Sequence, residues 1–157
     1  MIQLKTVLNC IDNTVHIIII HLTAKGAALV ECIHILNGAK KAYIGDRIVC
    51  VVQRVRQQTG QQEARKQVTM LLPKVNQGDI RRAIVVRTKQ QYQRKDGSIV
   101  RFDDNACVLI DEKGEPIGNR IMGSLSPNYL WWVGLVAREL ESNVQANKIL
   151  SLAPKVI

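Results

Sequence analysis

A chain of 157 residues with 46% hydrophobic side chains and a formal net charge of +9 is too apolar for intrinsic disorder and long enough to bury a real core. The excess of 22 Lys and Arg over 13 Asp and Glu favours a polyanionic partner, either nucleic acid or an anionic surface. Aromatic residues, at 4%, leave few rings for stacking single-stranded bases across a sheet, so folded, double-helical RNA held by shape and phosphate suits the composition better.

Along the chain, MIQLKTVLNCI alternates imperfectly and predicts a first strand. ALVECIHIL (28–36) alternates well, with Leu29, Glu31, Ile33 and Ile35 on one face and Val30, Cys32, His34 and Leu36 on the other. DRIVCVVQRV (46–55) follows Gly45 as a continuous apolar run, the pattern of a buried barrel strand. The polar, Gln-rich stretch 57–67 reads as a long loop or arm. DIRRAIVVRTKQ (79–90) predicts a fourth strand. SIVRF and ACVLID give a fifth strand or a hairpin, depending on what the Asp103-Asp104-Asn105 segment does. Asp96-Gly97 and Lys113-Gly114 are turn signals. Several short strands with no helix between them argue for a closed β-barrel. Helical patterns enter only at VARELES (136–142) and ANKILSLA (146–153), and Pro154 limits the second.

Nothing in this pattern points to catalysis. There is no G-x-S-x-G, no H-E-x-x-H and no P-loop. The acidic stretch DDNACVLIDEKGE lacks the oxygen ligand and glycine of a calcium loop, so Asp103 and Asp104 are expected to orient nearby arginines or cap the turn. Cys10, Cys32, Cys50 and Cys107 form no C-x-x-C pair and sit in apolar stretches, as small buried hydrophobes do. His16, His21 and His34 have no zinc-site spacing. No catalytic residue, metal or cofactor is therefore expected. No apolar run approaches the ~20 residues of a membrane helix, so no membrane partner is expected. The first residues lack the basic start and apolar block of a signal peptide.

The informative signal is basic. Between 81 and 101 stand Arg81, Arg82, Arg87, Lys89, Arg94, Lys95 and Arg101, against Asp96 alone. Arginine dominates, and its planar fork grips phosphate through two bonds. With Asp96-Gly97 folding the stretch back, these cations are expected to stand on one hairpin and to bind RNA phosphates.

Ten stretches, in order, resemble the universal ribosomal protein fourteen family of the large subunit, in its bacterial or organellar form: MIQ at the start, DN (12–13), ECI (31–33), GDRIV (45–49), AIVVRTK (83–89), RKDGS (94–98), RFDDNACVLI (101–110), GEPIGNRIMG (114–123), VAREL (136–140) and KILSLAPKVI (148–157). The resemblance implies a mainly β fold over residues 1–157, a single domain with a small five-stranded β-barrel and two short helices at about 136–153. It implies no enzyme activity. It implies a structural constituent of the large ribosomal subunit that binds large-subunit rRNA, packs on neighbouring ribosomal proteins and touches small-subunit rRNA in an intersubunit bridge. The family's face for subunit contact and for a ribosome-silencing factor maps here onto Asn119, Arg120, Lys148 and Ser151, with Asn119 standing where the family usually has threonine. MIQLKTVLNCIDN, DRIVCVVQ and NACVLI look most like fungal mitochondrial members, which favours the mitochondrial matrix over a bacterial cytoplasm. A free-standing RNA-binding barrel or translational regulator is the alternative of another class.

Two segments interrupt the family pattern. Removing 15–25 (VHIIIIHLTAK) joins Asp12-Asn13-Thr14 to Gly26-Ala27, and removing 124–134 (SLSPNYLWWVG) joins Gly123 to Leu135. Four consecutive isoleucines and the Trp131-Trp132 pair need a cover. Either the segments are lineage-specific extensions buried against neighbouring proteins, or they are intron sequence carried into the reading frame.

Overall fold

Strands and turns dominate the computed structural model, which describes residues 1–13, 26–55, 75–118, 120–121, 135–142 and 146–156. In chain order the strands are β1 (Val7–Cys10), β2 (Asp12–Asn13), β3 (Ala27–Ile35), β4 (Arg47–Val55), β5 (Ile80–Arg87), β6 (Tyr92–Gln93), β7 (Ile99–Val100), β8 (Ala106–Ile110), β9 (Arg120–Ile121), β10 (Leu135–Val136) and β11 (Lys155–Val156). A 3-10 helix spans Arg138–Ser142, and one α-helix, α1, spans Asn147–Leu152. Five strands close a barrel in the order β1-β3-β4-β5-β8. Neighbours run antiparallel except at the closure, where β8 lies parallel to β1 with Cys10 opposite Cys107. The mainly β, five-stranded barrel expected from the sequence is the fold.

Alternation explains which side chains fill the barrel. Leu8, Cys10, Val30, Cys32, Ile48, Cys50, Val52, Ala83, Val85, Cys107 and Leu109 point inward and are at most 1% exposed. β5 and β8 are buried on both faces, because a second cluster covers their outer side: Ile84, Val86, Ala106, Val108 and Ile110 meet Ile121, Val136, Leu140, Ala146 and Ile149 from the C-terminal segment. β4 differs from the expectation of a fully buried strand. Its outward residues Val49 and Val51 are half-buried and Arg47 and Gln53 are exposed, since the C-terminal cover packs on β5 and β8 instead. On this open side Val7, Glu31, Val51 and Ile80 are register partners across four strands, and Val7 and Ile80 are 50% and 67% exposed.

β3 departs from its two-faced reading for a local reason. Its register against β4 shifts at Ala27/Leu29, at Leu29/Val30, where the extra residue is Gln53 of β4, and again between Cys32 and His34, where the extra residue Ile33 of β3 turns the side chains after it toward the other face. Ile35 therefore joins Val30 and Cys32 in the core, while Ile33 and Leu36 are exposed. The Asp103–Asn105 segment is a bend that separates the two candidate pieces of the fifth strand. Ala106–Ile110 enters the barrel, and Ile99–Val100 pairs with Tyr92–Gln93 in a separate two-stranded ribbon. Both turn signals hold a glycine in the left-handed region, Gly97 at φ 85° and Gly114 at φ 86°. The first of the expected helices is a 3-10 turn and the second is α1, after which Pro154 leads into the extended β11. Residues 15–25, 57–67 and 124–134 lie outside the described residues.

All four cysteines are buried inside the barrel, where Cys32 and Cys50 are register partners. Burial first, and the neighbouring Cys107 next, raise the Cys32 thiol above its ordinary value. A raised, inaccessible thiol has little nucleophilic thiolate. Folded protein should therefore label slowly with a maleimide, and all four thiols should react together only on unfolding. Fast labelling of any one under native conditions would place it at the surface.

Candidate nucleic-acid interface

Strand direction sorts the cations between the two barrel ends. β5 carries Arg81 and Arg82 at its start and Arg87 at its finish, about 16–20 Å away at ~3.3 Å per residue. The segment from Thr88 to Asn105 leaves the finish of β5 and returns at the start of β8, so Lys89, Arg94, Lys95 and Arg101 gather at that end. Arg81 and Arg82 do not. Arg81 lies 3.4 Å from Asp79, each side chain about one third exposed, and Arg82 is exposed opposite Val49 and Ile110.

The gathered cations have unlike surroundings. Arg87 is buried, its side chain 4% exposed, and its Nη2 lies 3.1 Å from Asp104 Oδ2. Asn9 Nδ2 donates to the same oxygen at 2.9 Å, so Asp104 orients the arginine as expected from the sequence. Burial lowers the Arg87 pKa, and Asp104 followed by Asp103 oppose that shift. Asn105 completes the knot by accepting the Lys89 N–H through Oδ1 at 2.8 Å and the Asn9 N–H through its carbonyl at 2.9 Å. The knot fixes the base of the β6–β7 hairpin. Arg94 pins the hairpin to the 3-10 helix through an ion pair with Glu139, in which both side chains are largely buried. Phe102 and Val100 add an apolar contact with Ala137.

The tip is built by Asp96. Its Oδ1 accepts from Ser98 N at 2.9 Å and from Ser98 Oγ at 2.6 Å, while Gly97 makes the left-handed turn. Those two bonds, ahead of the nearby Arg94 and Arg138, hold the Asp96 carboxyl below its ordinary pKa, so it is anionic at neutral pH. Lys89, Lys95 and Arg101 remain exposed, with no ion pair among the described residues. They are the cations free to meet a phosphate. Arg87 and Arg94 instead neutralise carboxylates and hold the hairpin in place.

Asn119 lies outside the described residues. Arg120 pairs through its backbone with Asn13. Lys148 lies on α1, its Nζ 2.7 Å from Glu115 Oε2, with both side chains more than half exposed. Ser151 Oγ donates to the Lys148 carbonyl at 2.8 Å. Ile121 and Ile149 share one apolar cluster, which makes β9 and α1 neighbours. Sequence reading singled out neither Asn9 nor Glu139. Their partners lie 95 and 45 residues away along the chain, and no local pattern signals such a pairing.

A stiff closed barrel that presents cations on a pinned hairpin defines a polyanion-binding scaffold. The profile of the family described as ribosomal protein L14p/L23e matches residues 1–157. The chain is 50% identical over 154 residues to the large ribosomal subunit protein uL14m of Neurospora crassa, covering 98% of each chain. It is 40% identical over 157 residues to the large ribosomal subunit protein uL14m of Schizosaccharomyces pombe, covering all of both. The chain belongs to the ribosomal protein L14p/L23e family, and it is a structural protein rather than an enzyme.

Proposed function

We propose that this protein is a structural constituent of the mitochondrial large ribosomal subunit, acting as one domain over residues 1–157 and holding large-subunit rRNA through its hairpin. The end-to-end match to ribosomal relatives named as mitochondrial carries the assignment. The exposed Lys89, Lys95 and Arg101 on a doubly anchored hairpin support phosphate as the ligand. Arg81 and Arg82, at the far end of β5, supply a separate basic contact. The open row Val7, Glu31, Val51 and Ile80, apolar but for its one carboxylate, suits packing against neighbouring proteins of the subunit.

The finer reading concerns β9 and α1. Asn119, Arg120, Lys148 and Ser151 form the face for the intersubunit bridge to small-subunit rRNA, where a ribosome-silencing factor competes. The adjacency of the two elements and the exposure of Lys148 support it. The test is a sedimentation profile of ribosomes carrying Arg120→Glu and Lys148→Glu. The chain should stay with the large subunit at high salt, while joined ribosomes fall in favour of free subunits. Loss of the variant from the large subunit would move these residues to the assembly side. A wild-type chain that washes off the large subunit at high salt would point to a free-standing RNA-binding barrel.

A further inference from the structure

The loop joining β3 to β4 is fastened at several points. Asp46 clamps it, accepting from Asn37 Nδ2 at 2.5 Å through one carboxylate oxygen and from the Tyr43 N–H at 2.7 Å through the other. Ala42 is fully buried and exchanges two backbone bonds with Ile2, at 2.7 and 2.8 Å. Gly45 donates to the Val85 carbonyl at 2.8 Å, and Val85 donates back to Asp46 at 3.0 Å. The loop is thereby fixed to the core and to the barrel end that carries the hairpin.

What this rigid loop shows to solvent is two lysines and a ring. Lys40 and Lys41 are exposed, and Tyr43 is 47% exposed. The Ile2–Ala42 bridge brings the first turn of the chain alongside, where Lys5 stands exposed at φ 65° with its N–H on the Cys32 carbonyl. A lysine held in the left-handed region is strained, so the turn displays it at a conformational cost. Neither the three ammonium groups nor the Tyr43 hydroxyl has a side-chain partner among the described residues. The acid closest in sequence, Asp46, is consumed by the clamp. Unanswered positive charge beside an accessible aromatic ring is the chemistry that takes a nucleotide: phosphate on the cations, base on the ring.

We propose that the β3–β4 loop is a second RNA-contact site, in which Tyr43 stacks on one unpaired base while Lys5, Lys40 and Lys41 hold the flanking phosphates. It rests on the rRNA-binding reading and adds single-strand recognition to it. Low aromatic content bars stacking across the sheet faces, but one ring on a clamped loop needs no second. Tyrosine loses little freedom when it binds, and the clamp uses only its backbone.

The test compares two probes on the full chain: a short single-stranded RNA of mixed sequence and a blunt RNA duplex of the same length. Tyr43→Ala should weaken the single strand by about five- to a hundredfold, the value of one stacked base. Its effect on the duplex should stay within about twofold. Tyr43→Phe should keep both affinities and guards against a folding artefact. Lys40→Gln and Lys41→Gln should each weaken both probes and lower the single-strand log–log salt slope by roughly 0.7. An equal loss on both probes, or none, overturns the site. So does a Tyr43→Ala chain that keeps its RNA affinity but sheds a neighbouring protein from isolated subunits, since the loop is then a protein contact. If Lys95→Gln and Arg101→Gln weaken the duplex while every loop variant is silent, the hairpin reading stands and this one falls.

Discussion

Arg87→Ala should lower the stability of the fold by about 3 kcal/mol, which for a chain of this size is a fall in Tm of roughly 6–12 °C. The guanidinium side chain is 4% exposed and its partner Asp104 24% exposed. Removing the arginine leaves that carboxylate in a low-dielectric pocket with Asn9 as its remaining bonded partner. Breaking a fully buried pair costs about 3–5 kcal/mol, and the residual hydration of Asp104 sets the low end here. The loss is of compensation rather than of attraction, so it should be largely reversible by design. Arg87→Met combined with Asp104→Asn removes both charges and keeps an oxygen for Asn9. That double variant should recover at least half of the lost stability in urea unfolding. A single variant with wild-type stability but weakened RNA binding would show instead that Arg87 reaches phosphate directly.

The same residue shows what the sequence makes legible. AIVVR and ACVLI read correctly as strands, because a run of apolar residues has few other places to go. That β5 and β8 are covered on both faces while β4 is not depends on where Leu140 and Ile149 return in space, and β4 is no less apolar for lacking that cover. The shifts in β3 were equally hidden, since one extra residue leaves the apolar count unchanged. Charge was the hardest to sort. Arg87 and Lys89 are two residues apart and equally basic on paper, yet one faces Asp104 inside the molecule and the other faces water. The acidic pair at 103 and 104 was the available clue. Lys40, Lys41 and Tyr43 carry no signal in the sequence, because two lysines make no cluster until the Ile2–Ala42 bridge brings Lys5 alongside.

Replacing Lys89, Lys95 and Arg101 together by glutamine should produce the largest loss of RNA affinity of any triple substitution at the hairpin. Binding through phosphates releases condensed counterions, so each contact contributes up to about 0.9 to the slope of log affinity against log salt. Three lost contacts should flatten the slope by roughly 2.7 at most, with the deficit greatest at low salt. Arg94→Gln should behave differently. Its charge already faces Glu139 in a largely buried pair, so it releases few counterions, and its removal frees the hairpin to move. Affinity should therefore fall while the slope stays near its wild-type value. The contrast separates cations that touch RNA from cations that aim them. A triple variant with an unchanged slope would show that the hairpin faces solvent. A slope lowered as far by Arg94→Gln as by Lys95→Gln would show that Arg94 leaves Glu139 to bind phosphate.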